Sequence, residues 1–264
     1  MIHGLIVVNK EKGVTSHTVV ERIRRLYGTK KAGHFGTLDP QATGVILIAL
    51  GQATRFFDFY VKLEKLYTGL IRFGFATSTY DSEGEPQGAK QGIDLFRIDL
   101  EALLAQFRGA QMQLPPMFSA KKFKGRPLYK YARRHQDLGQ KTGVGAFLLE
   151  LKRERIGAFT LQQALTLGEI EALAAAGNAL RAVTPIEMLL GEFPKMIVNP
   201  AGRRCICNGM VLKASDVLKI FPGVSNDYFR IFDDAGKLLA IAEKEPQAMS
   251  FKSAMVFPEN DPGS

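Results

Sequence analysis

The run His34-Phe35-Gly36-Thr37-Leu38-Asp39-Pro40-Gln41-Ala42-Thr43-Gly44 leads without a break into Val45-Ile46-Leu47-Ile48-Ala49-Leu50. The second half is six consecutive apolar residues, a length that suits a buried strand. The first half is polar and carries a single acid, and Gly36 and Gly44 permit sharp bends on either side of it. Asp39 precedes a proline, which biases its backbone toward an extended conformation. A lone carboxylate on a stiff loop backed by a core strand is the usual setting of a site residue. Asp-Pro is also an ordinary turn starter, and from these residues alone both readings stand.

Working outward, residues 4–9 read as a strand and Lys10 to Gly13 as a turn. Thr18-Val19-Val20-Glu21 offers a capping box for a helix whose apolar face is Val19, Val20, Ile23, Leu26 and Tyr27, ended by Gly28. The other face carries Arg22, Arg24 and Arg25, with Lys30 and Lys31 following, either a solvated face or a phosphate-binding one. Beyond the strand, Ala53 to Val61 reads as a short helix. Leu66 to Phe75 alternates as a strand that sets Tyr67, Gly69, Ile71 and Phe73 on an inward face. Leu100 to Phe107 and Leu161 to Ala176 read as helices, and Pro185 to Met188 starts another. Residues 118–136 hold Lys121, Lys122, Lys124, Arg126, Lys130, Arg133 and Arg134 interleaved with Phe118, Phe123, Tyr129 and Tyr131, uninterrupted by an acid. Cations that bind phosphates among rings that stack on unpaired bases suit RNA. An ordinary helix over Pro127 to His135 with solvated arginines explains the same residues. Pro194 and Pro200 mark a linker zone, after which short strands and turns predict a small β-rich domain and a disordered tail from Pro258.

The composition narrows the classes. Thirty-five Lys and Arg against 26 Asp and Glu give a net charge of +9 and a pI near 9.5, which favours a polyanionic partner. With 264 residues and 46% hydrophobic content the chain can bury one large core and a smaller one. No apolar run is long enough to cross a bilayer, and Lys10 and Lys12 come too early for a secretory signal, so the expected address is the cytoplasm. Cys205 and Cys207, spaced C-x-C with no histidine nearby, support neither a disulfide framework nor a metal site. There is no G-x-G-x-x-G, no P-loop and no H-E-x-x-H, so no cofactor is expected.

The central loop, continued through Gly51-Gln52-Ala53-Thr54-Arg55, closely resembles the catalytic loop of the TruB-type tRNA pseudouridine synthases, with the pattern GTLDPxATGxL followed by a strand and GxATR. Further matches are Leu5 to Ser16, with Glu11 where proline is common, then Glu64 to Tyr67, Tyr80 to Gly84, Gln113 to Lys122, and Gly143 to Phe159. The resemblance implies an α+β fold: a catalytic domain over residues 1–190 around a mixed, mainly antiparallel sheet. A PUA-like RNA-binding domain over 195–258 and the tail 259–264 would follow. It implies isomerisation of uridine 55 in the T-arm of tRNA, with Asp39 as the catalytic acid, acting as nucleophile or as base. Substrate contacts would come from His34, Tyr67 stacked on the base, Leu151 lining the pocket, and Lys10, Lys121, Lys122 and Arg126 on phosphates. The expected protein is a monomer whose partner is tRNA, with no membrane and no metal.

One departure bears on the chemistry. The family continues from the helix matching Leu128 to Arg133 into several strands and a GTYIR-like segment, which supplies an arginine partner to the aspartate. Here Arg134-His135-Gln136 runs directly into Asp137-Leu138-Gly139, and GTYIR occurs nowhere. Either Arg55, Arg153 or Arg155 replaces that pairing, or the sequence is an incomplete version of a working synthase. The alternative function is a non-catalytic tRNA-binding or RNA-folding protein, and a third reading is an rRNA-directed relative of the same fold.

Overall fold

The computed structural model describes residues 2–92, 94, 99–105, 107–110, 122–123, 126–127, 145–225, 227–244 and 251–257. In chain order the elements are β1 (Gly4–Lys10), α1 (Ser16–Leu26), β2 (Ala32–His34), β3 (Thr43–Leu50), α2 (Phe57–Val61), β4 (Lys65–Phe73), β5 (Ala76–Thr77), β6 (Pro86–Gln87) and α3 (Leu100–Ala105). Then come β7 (Lys122–Phe123), β8 (Arg126–Pro127), β9 (Ala146–Ile156), β10 (Phe159–Thr160), α4 (Leu167–Ala175), β11 (Thr184–Pro185), β12 (Lys195–Val198) and α5 (Pro200–Cys207). The chain ends in β13 (Val217–Phe221), β14 (Tyr228–Phe232), β15 (Leu238–Lys244) and β16 (Phe251–Val256). It divides into two compact units, Met1–Leu66 with Arg153–Ser264, and Tyr67–Lys152.

In the first unit one sheet runs in the order β10-β9-β3-β1-β11, with β2 also paired to β3. β1 and β3 are antiparallel, Val7 facing Leu47 across the ladder. Leu5, Val7, Val45, Leu47 and Ala49 pack on one face with Phe35, Phe56 and Tyr60, while Ile6, Val8, Ile46, Ile48 and Leu50 meet Val19, Val20 and Ile23 of α1 and Leu167 and Ile170 of α4 on the other. Burial on both faces is why this strand reads as an unbroken apolar run and not as an alternation. At about 1.5–3 kcal/mol for each large apolar side chain, the run anchors the preceding loop by on the order of 10 kcal/mol before entropic costs.

Three local readings are corrected. Helix α1 starts at Ser16, because extended Thr15 accepts the Thr18 N–H at 3.0 Å, while Glu21, expected in the cap, pairs with Arg24 at 2.6 Å. The helix expected over Leu161 to Ala176 is interrupted where β1 takes both backbone groups of Leu165, through Asn9 N–H at 2.8 Å and the Val7 carbonyl at 3.0 Å. Thr166 then caps α4 afresh with Glu169 in a capping box. The expected linker around Pro194 and Pro200 is ordered: β12 lies inside it, and Pro200 opens α5 behind Asn199, which accepts the Gly202 N–H at 2.8 Å.

The C-terminal strands form a second sheet in the order β13-β12-β14-β15-β16. One face covers a core of Met196, Val198, Ile206, Ile231, Ala240 and Ala242. Phe232, Leu238, Ile241 and Phe257 join the core beneath β1 and β3, with Phe257 edge-on to Phe56 at 5.5 Å. In the second unit β4 pairs with β9, and the Leu148 N–H reaches the Tyr80 carbonyl at 2.9 Å. The junction at 134–138 lies outside the described residues. Among the described residues no helix is long and apolar enough to cross a membrane.

Candidate active site

Asp39 stands between two residues whose backbones are tied to the segment that follows β1. Ser16 Oγ donates to the Leu38 carbonyl at 2.8 Å and accepts the Leu38 N–H at 2.9 Å. On the other side the Pro40 carbonyl accepts from the Gly13 N–H at 2.8 Å and from Lys10 Nζ at 3.1 Å. The Asp39 carbonyl takes the Ala42 N–H at 3.1 Å, closing the turn. Gly36 and Gly44 hold φ of 94° and 104°, which L side chains rarely adopt. The carboxylate itself is exposed, so a fixed backbone presents a solvent-facing acid.

Lys10 corrects an expectation. Placed in the sequence as a phosphate contact, it is fully buried, and its ammonium donates to the carbonyls of Glu11, Val14 and Pro40 at 2.9, 2.8 and 3.1 Å. An ammonium has three donors, and all three are spent on backbone. Burial lowers its pKa from the ordinary value, the Asp39 carboxylate pushes it back up, and Arg153 adds to the lowering. Lys10 therefore acts on Asp39 as a tether and as a nearby positive charge.

The three arginines considered as replacement partners take separate places. Arg55 donates to the Val256 carbonyl and lies over the Phe257 ring, 5.3 Å from its centroid. Arg155 donates to the Gly157 carbonyl at 2.9 Å and pairs with Glu64 at 3.3 Å. Arg153 is fully buried against the loop, its Nε donating to the Val45 carbonyl at 2.8 Å. His34 closes β2, opposite Ile48, half-buried. Burial first, then Arg153 and His17, lower its pKa below the ordinary 6.5. Its Nδ1 is buried with no hydrogen-bond partner among the described residues.

Tyr67 and Leu151 belong to the second unit. Tyr67, expected on an inward face of β4, is 42% exposed, and its neighbours on both faces are exposed too. Leu151 is half-buried on β9, its Cδ1 3.8 Å from where a Cβ on Gly69 would sit. Lys122 and Arg126 lie in the small β7/β8 ladder, where Lys122 faces Pro127. Lys121 lies outside the described residues. Ser16 and Gly13 were missed as site residues; their signal was the Gly-x-x-Ser that follows Lys10 in the first matching motif.

The family model described as "TruB family pseudouridylate synthase (N terminal domain)" matches residues 24–147. The "tRNA pseudouridine synthase B" of Solibacter usitatus is 38% identical over 281 positions, covering 91% of this chain and 95% of that protein. The protein of the same name from Thermotoga maritima is 32% identical over 287 positions, covering 93% and 91%. Both stretches exceed the 264 residues available, so each relative carries residues that this chain lacks. Among solved structures, an H/ACA RNP bound to a substrate RNA containing 2'-deoxyuridine matches with a TM-score of 0.65 at 22% identity, over 97% of this chain and 85% of that one. An archaeal box H/ACA sRNP Nop10-Cbf5 complex gives 0.63 at the same identity, over 97% and 86%. At such identities the structural likeness concerns the fold.

Proposed function

Because this chain belongs to the TruB family of pseudouridylate synthases, and is thus an isomerase that makes pseudouridine, we propose that it acts on uridine 55 in the T-arm of tRNA with Asp39 as its one catalytic carboxylate. The bond from N1 to C1′ breaks, the base turns, and C5 bonds to C1′. The hydrogen on C5 leaves and N1 takes one up, so atoms and charge balance without an oxidant or reductant. A carboxylate can serve such a reaction as nucleophile or as general base. Either role needs an acid whose position does not drift, and the tethering of both Leu38 and Pro40 to residues 10–16 is the observation that carries this reading.

A uridine inside a folded arm must be flipped out first, at a cost of a few kcal/mol that stacking and phosphate contacts offset. In this reading Tyr67 stacks on the everted base, His34 helps to hold the extruded nucleotide, Leu151 is a pocket-lining residue, and Lys121, Lys122 and Arg126 hold phosphates. The sheet of β12 to β16 serves as a PUA-like RNA-binding module, and the protein works as a cytoplasmic monomer.

The test is mass-spectrometric mapping of unmodified tRNA after incubation with the purified chain. Pseudouridine is expected at position 55 and nowhere else, and Asp39→Ala and Asp39→Asn are expected to form none while still binding tRNA. Conversion by the Asp39→Ala protein, or modification at another site, would overturn the proposal. Tight tRNA binding without conversion by the unaltered chain would leave the alternative of an RNA-folding protein.

A further inference from the structure

Arg153 is among the largest fully buried side chains of the molecule. A buried guanidinium is costly unless its donors are met. Its Nε meets the Val45 carbonyl at 2.8 Å, and one terminal nitrogen lies 3.4 Å from the Gly36 carbonyl. Gly36 and Val45 are where the chain enters and leaves the segment that carries Asp39, so one planar group spans the neck of that loop. The backbone closes the same neck: a Cβ on Gly44 would lie 2.2 Å from the Arg153 carbonyl oxygen. Electrostatics places the group at the same point, since its charge helps to lower the pKa values of Lys10, His34 and Lys65 around it.

We propose that Arg153 is a positioning residue for the reaction: its forked donors fix the separation of Gly36 and Val45, and thereby the path of residues 37–44 and the place of Asp39. This rests on the reading of Asp39 as the reacting carboxylate. Its consequence for a chain without the GTYIR segment is that the loop is held from beneath, through its carbonyls. A lysine here keeps the charge but offers a compact ammonium in place of the rigid fork, and cannot span both carbonyls with the same geometry. Removing the charge as well releases His34 from one of the influences that disfavour its protonation.

Arg153→Lys and Arg153→Met separate the two effects in the full-length chain. Steady-state conversion of tRNA is expected to lose kcat by roughly 10- to 100-fold in Arg153→Lys, with KM within about twofold, as for a small misplacement of a catalytic group. The His34 titration followed by NMR should stay in place in Arg153→Lys and move to higher pH in Arg153→Met. Amide exchange at Ala42, whose N–H bonds the Asp39 carbonyl, should quicken in Arg153→Lys while Ile6 in the core stays protected. Wild-type kcat in folded Arg153→Lys, or a loss confined to KM, overturns the proposal. If Arg153→Met does not fold, Arg153→Lys decides alone. If the unaltered chain converts no tRNA, the functional reading has failed, and unchanged Ala42 exchange in Arg153→Lys then overturns the positioning role independently.

Discussion

Strands β3 and β4 are of similar length and similarly rich in apolar residues, yet they live in opposite surroundings. Every residue of β3 after Thr43 is buried, whereas Tyr67, Leu70 and Ile71 of β4 are 42%, 52% and 49% exposed. The difference lies in what the chain supplies as cover. β3 has α1 and α4 on one face and an aromatic layer on the other. The described residues of the second unit lay no such double layer over β4. An apolar strand thus has one of two surroundings here: β3 is sealed in the core and anchors the loop before it, and β4 leaves much of its apolar surface exposed. Asp39 follows from the first kind and the proposed base contact of Tyr67 from the second.

The comparison breaks most sharply with one substitution made twice. Ile46→Ala in β3 removes atoms from a fully buried site and is expected to cost about 2–5 kcal/mol in urea unfolding. Ile71→Ala in β4 is expected to change stability by no more than about 0.5 kcal/mol, because a half-exposed side chain leaves no sealed cavity. Equal costs at the two positions would mean that β4 is covered in solution and that the contrast between anchor and surface is wrong.

A smaller effect, with a larger functional consequence, is expected at the tether. Ser16→Ala removes the hydroxyl that both donates to and accepts from Leu38, leaving two backbone groups unmet in a buried place. The expected loss is about 1–3 kcal/mol, with a fall in kcat that exceeds any change in KM. Calorimetry with steady-state kinetics checks both, and an unchanged kcat would show that the residues beside Asp39 need no tether.

The sequence made some of this plain and hid the rest, for physical reasons. The buried strand was legible because six apolar residues in a row have few other uses, and the bends at Gly36 and Gly44 because of their residue type. The true cap at Thr15 was hidden by a better-looking box three residues later. The break at Leu165 was invisible, since it depends on backbone partners in β1 more than 150 residues away. For Lys10 the residue type pointed the wrong way: a lysine beside an acid loop reads as a phosphate ligand, and its burial is a tertiary fact. Arg153 was legible only as one cation among three.

The smallest expected effect concerns pH and bears on the anchored region. His34 packs beside the anchored loop, with a pKa depressed chiefly by burial, then by Arg153 and His17. A folded-state pKa below the unfolded one means that the unfolded chain binds the proton first. The stabilising contribution of neutral His34 is therefore complete above the unfolded value of about 6.5 and is lost as pH falls from there through the folded pKa. The fall in melting temperature below neutral pH should be shallower in His34→Gln than in the unaltered chain. A slope that His34→Gln leaves unchanged would place the pH-sensitive contact elsewhere than at the neck of the Asp39 loop.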